Sequence, residues 1–81
     1  LLGLTMRAIP RIGVEIVRVD SGSAAARAGI EAGDVITLIG EIERPAPAQV
    51  TRAFLATPED RPLLVGVTRG DRHRVLALGK R

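Results

Sequence analysis

Side chains able to do covalent or metal chemistry are scarce in this chain. Its 81 residues hold one histidine, two serines and no cysteine. His73 could act as a general base or a metal ligand. It falls on an expected hairpin strand, with no cysteine in the chain and no carboxylate pair at ligand spacing, and reads as a solvated strand residue. Ser21 and Ser23 lie outside any G-x-S-x-G elbow and serve a turn and a helix start. Neither G-x-G-x-x-G nor G-x-x-x-x-G-K-[ST] occurs, so nucleotide binding has no support. Arg69-Gly70-Asp71 spells an adhesion-type tripeptide, but a Gly-Asp hairpin turn accounts for it. No catalytic residue, metal ligand or cofactor is expected.

The elements follow from local pattern. Leu4-Thr5-Met6-Arg7-Ala8 alternates apolar and polar positions, as a half-buried strand does, and Pro10-Arg11-Ile12-Gly13 breaks it as a loop. Val14–Val19 is a β-branched strand whose apolar phase slips between Ile16 and Val17, which predicts a bulge or burial on both faces. The stretch 22–36 is the densest in signals. Ser23 can cap a short helix over Ser23–Ala28 with its hydroxyl, Gly29 stops it, Gly33 turns the chain, and a strand follows over Asp34–Ile39. A brief strand at Glu41–Glu43 precedes the main helix, Pro47–Ala56, where Val50, Ala53, Phe54 and Thr57 share one face while Gln49 and Arg52 look outward. Pro58 ends it. Leu63–Thr68 and Arg74–Leu78 form a hairpin around Arg69-Gly70-Asp71-Arg72, with Gly70 supplying the turn. The expected class is α+β: a small antiparallel sheet or partial barrel of five to six strands capped by two helices.

Composition narrows the choice further. The chain is 46% hydrophobic but only 1% aromatic, so its core is aliphatic. A domain of this size buries only about 60% of its unfolded surface, and residues 1–81 make a single domain. The chain opens at Leu1 rather than Met and reads as a piece of a longer protein. No apolar run reaches the roughly 18 residues of a membrane span. The net charge is +3; residues 1–40 balance, and the excess lies in Arg69, Arg72, Arg74, Lys80 and Arg81 against Asp71. Such a basic end could touch nucleic acid or an anionic membrane surface. Single-strand binders add aromatic stacking platforms, and here only Phe54 exists, on a buried helix face. A solvated hairpin is the plainer reading, and neither nucleic acid nor membrane is an expected partner.

Gly22-Ser23-Ala24-Ala25-Ala26-Arg27-Ala28-Gly29-Ile30-Glu31-Ala32-Gly33-Asp34-Val35-Ile36 resembles the G-S-P-A-A-x-A-G-L-x-x-G-D-x-I signature of bacterial PDZ domains. The element order resembles their circularly permuted form, found in HtrA-like trypsin-like serine proteases, over nearly the whole chain. The resemblance implies a non-catalytic module that binds peptides by β-strand addition and captures a C-terminal carboxylate with an apolar last residue. Leu1-Leu2-Gly3-Leu4 looks like the family's carboxylate-binding loop, where a glycine lets successive N–H groups converge on an anion. Carried over by position, Leu2, Gly3, Leu4, Thr5, Met6, Thr51 and Phe54 are the implied peptide-binding residues, with Thr51 at the rim and Val50 in the core. The family's S-P-A is S-A-A here. Where many eukaryotic members start the groove helix with histidine, this chain has Pro47, so selection of Ser or Thr two places before the ligand's end should be absent. The resemblance also implies a protease domain in the same chain and a periplasmic or cell-envelope location.

Overall fold

A computed structural model describes residues 1–80. Six strands and two helices follow in the order β1 (Leu4–Ile9), β2 (Gly13–Val19), α1 (Ala24–Ala28), β3 (Val35–Ile39), β4 (Ile42–Glu43), α2 (Pro47–Ala56), β5 (Leu63–Arg69) and β6 (Arg72–Leu78). The strands form one antiparallel sheet ordered β1-β2-β3-β5-β6, with β4 paired to β3. This is the expected α+β class.

The phase slip in β2 is a bulge. Thr5 pairs with Arg18 and Met6 with Ile16, so Val17 has no partner of its own and stands 52% exposed. The extra residue lets Ile16 remain in the core. Asp34 is not the first residue of β3 but the last of the preceding turn. Arg69 and Arg72, expected in the hairpin turn, are the final β5 and first β6 residues, paired across Gly70-Asp71. Gly70 has φ +62°, which suits the first central place of a type II′ turn.

Helix α1 is short and held at both ends. Ser23 accepts the Ala26 amide at 3.1 Å and donates its hydroxyl to the Asp20 carbonyl at 2.7 Å. Gly29 closes the helix at φ +91°, left-handed, sending its amide back to Ala25 and Ala26. Helix α2 has Ala46 at its N-cap, which cannot cap with a side chain. Gln49 compensates by accepting the Ala46 amide at 2.8 Å, and for that reason it is half-buried rather than outward. Thr57 is not on the helix face; it is the C-cap residue, its hydroxyl bonded to the Ala53 carbonyl.

The core lies between the sheet and the two helices. Val14, Ile16, Ile36, Ile39, Val65, Val67 and Leu78 come from strands, Ala24 and Ala25 from α1, and Val50 and Phe54 from α2. Aliphatic side chains make all of it except Phe54.

Candidate functional site

The sheet leaves β1 paired on one side only, with β2, so its other edge is open. Helix α2 runs beside that edge, and between the two lies an open groove of about 400 Å³. Leu2, Gly3, Leu4 and Met6 line it from the chain start, and Thr51 and Phe54 from α2. Of the seven residues singled out from sequence, only Thr5 is outside the lining. It is exposed on the other face of β1, and its main chain faces β2 rather than the open edge. Val50 is fully buried and Thr51 exposed at the rim, as expected.

Two lining residues escaped sequence reasoning, Asp20 and Leu55; Leu1 was placed in the loop but not among the peptide-binding residues. Leu55 is 67% exposed. Its position next to Phe54 and four beyond Thr51 would have placed it on the groove side of the helix. Asp20 reaches the groove mouth through the close approach of its turn to Gly3, which no local pattern announces.

The loop before β1 is tied down from one side. The carbonyls of Leu1 and Leu2 accept the Ala24 and Ala25 amides, each at 3.1 Å, and the Gly3 carbonyl accepts the Asp20 amide at 2.8 Å. The first three amides of α1 are thereby all bonded, since the third goes to Ser23. Among the described residues the amides of Leu2 and Gly3 donate to nothing. Gly3 has φ +79°, and a Cβ there would lie 2.1 Å from the Ser23 Cβ. Only glycine fits this place, both by conformation and by space.

Two more features bear on the groove. Lys80 donates to the Leu55 carbonyl at 2.9 Å, and its ammonium stands 5.4 Å from the centre of the Phe54 ring. Both partners belong to the groove wall. Away from the groove, Asp34 is 1% exposed and takes a two-pronged contact from Arg69, Nε to Oδ1 at 2.8 Å and Nη2 to Oδ2 at 2.9 Å. Arg69 also donates to the Gly29 carbonyl at 2.7 Å. Burial alone would raise the Asp34 carboxyl; the Arg69 guanidinium and the Glu31 amide outweigh it and hold it below the ordinary value.

These contacts weaken the case for a basic binding surface. Arg69 is turned inward to Asp34 and Lys80 is bound to α2, while Arg81 lies outside the described residues. His73 is exposed and meets the Thr68 hydroxyl at 3.2 Å. A second depression, of about 630 Å³ and more open, lies between the β1–β2 turn and the β3–β4 hairpin and is lined largely by Arg11, Glu41, Glu43 and Arg44.

An open strand edge, a facing helix and an apolar floor are the parts that recognition of an extended peptide requires. The sequence profile of the PDZ domain matches residues 15–69, and the chain belongs to the PDZ domain family of peptide-binding modules. A probable periplasmic serine endoprotease, DegP-like, from Halomonas elongata is 39% identical over 66 residues, covering 82% of this chain and 14% of the relative. The chain therefore spans a small part of that relative. Among solved structures, the HtrA3 PDZ domain bound to a phage-derived ligand (FGRWV) superposes with a TM-score of 0.85 at 24% identity, covering 98% of this chain and 82% of that one. The HtrA-type protease AlgW with a decapeptide gives 0.80 at 22% identity, covering 100% of this chain and 29% of that one.

Proposed function

We propose that this domain captures the free C-terminus of another protein, adding it antiparallel to β1 and seating an apolar last side chain between Leu2, Leu4, Met6 and Phe54. The carboxylate is taken by the amides of the Leu2-Gly3-Leu4 loop, the ligand backbone pairs with β1 through Leu4 and Met6, and Thr51 borders the groove. The observation that carries this reading is the one-sided loop. Its carbonyls are drawn toward α1, and the Leu2 and Gly3 amides are left without partners at the end of an apolar groove. Affinity on the order of micromolar suits so small an interface.

Matched peptides ending in valine, as free acid and as amide, test it by NMR titration. The acid should bind and the amide should bind at least tenfold more weakly. Equal affinities would remove the carboxylate role of the loop.

The likeness to a DegP-like endoprotease supports a parent that is a periplasmic serine protease, with this domain as its substrate-recognising or regulatory part. Labelling of the full-length parent by a fluorophosphonate, which reacts with activated serines, tests that context. An unlabelled parent would exclude it.

A further inference from the structure

Strand β1 presents different chemistry on its two faces. Leu4 and Met6 are half-buried toward the groove, whereas Thr5 and Arg7 stand exposed on the outer face. Arg7 sits opposite Glu15 of β2 in register and is ion-paired with it. The Arg7 side chain remains 70% exposed and that of Glu15 30%. Among the described residues Arg7 makes one side-chain hydrogen bond, from Nη2 to Glu15. A guanidinium carries five N–H donors, so a second carboxylate can be served while the first is kept.

A strand paired antiparallel to β1, its last residue opposite Leu4, alternates its side chains in step with β1. Its last residue and the one two places earlier face the groove. The residue three places before the last faces outward, opposite Arg7. We infer that the domain selects ligands with an acidic side chain three residues before the C-terminus, read by Arg7, and disfavours a basic one there. This rests on the strand-addition reading above.

The sign follows from the order of charges across the sheet. Directly facing Cβ atoms on neighbouring strands are about 5 Å apart, and Glu15 lies one strand further off, by roughly another 4.8 Å. A ligand carboxylate is therefore attracted by Arg7 more than it is repelled by Glu15, and an ammonium feels the reverse. Beyond Glu15 the row continues through uncharged Val35 and Thr68, which leave that balance alone.

The test uses free-acid heptapeptides ending in valine and differing only three places before the last, with Glu, Gln or Lys. Affinities are measured by NMR titration at about 50 mM and 500 mM salt. Glu should bind about three- to tenfold more tightly than Lys at low salt, with Gln between. The gap should shrink at high salt, as exposed charges are screened. Exchanging the pair, Arg7→Glu with Glu15→Arg, keeps an ion pair but reverses the charge at the edge, so the preference should invert. Equal binding of Glu and Lys peptides, or a preference untouched by the exchange, overturns this inference alone. Failure of all three peptides to bind overturns the strand-addition reading and this inference with it.

Discussion

Gly3 carries more constraint than any side chain at the groove. Gly3→Ala must adopt φ +79° with a Cβ 2.1 Å from that of Ser23. The left-handed conformation alone costs an alanine roughly 1–2 kcal/mol, and relieving the clash moves the loop. Peptide binding should be lost and the melting temperature should fall by several degrees, measured by titration and thermal melt. Val50 and Phe54 divide the labour on α2. Val50→Ala should cost about 2 kcal/mol, lowering the melting temperature by roughly 10 °C, and leave ligand preference unchanged. Phe54→Leu keeps most of the volume and should instead alter the preference for the ligand's last residue. If Val50→Ala shifts preference and Phe54→Leu does not, the groove face of α2 is misassigned. That both residues turn inward was legible from the helical period; their division into core and groove came from the resemblance. Leu55 and Asp20 were not legible, because one is exposed and the other depends on where a turn lands against the loop.

Helix α2 forms one wall of the groove, and both its ends are held. Gln49 closes its start and Lys80 its end, where the last carbonyls carry partial negative charge. Lys80→Met keeps the apolar stem and removes the cation from both Leu55 and Phe54. The helix-end and ring contacts are each worth up to about 1 kcal/mol at an exposed site. Lys80→Met should therefore lower the melting temperature by a few degrees and weaken peptides with bulky apolar ends, while Lys80→Arg should preserve both. Unchanged melting and binding in Lys80→Met would remove this role. The bounds of α2 were readable from Pro47 and Pro58, and the bulge at Val17 from a break in alternation, since both are local. The pairing of β3 with β5 and the reach of Lys80 to Leu55 depend on contacts across 25 residues or more of chain, and no window along the sequence contains them.

The molecule as a whole is clasped by Asp34 and Arg69, which join the start of β3 to the end of β5 and to the close of α1. Arg69→Met leaves the buried Asp34 carboxylate without its partner and should lower the melting temperature. The folded Asp34 carboxyl lies below its unfolded value, so the pair stabilises fully above that unfolded value of about 3.9 and loses its effect as pH falls through the lower folded one. Melting temperature should be level from about pH 8 to 5 and drop below pH 4. Asp34→Asn should melt lower at neutral pH and show a shallower acid drop, which calorimetry across pH would check. Both residues had local explanations in the sequence, a strand start and a turn, and those sufficed without revealing the clasp.

The bonds between the groove loop and α1 bear on how such a domain can change over generations. In the proposed binding mode main-chain groups grip a ligand's end, and their positions are locked by Gly3, Ser23 and the first amides of α1. Drift at Leu2, Leu4, Met6 and Phe54 reshapes the chamber for the last side chain without disturbing that grip. Appetite and attachment are inherited separately, so a lineage can acquire new clients while keeping the same handhold.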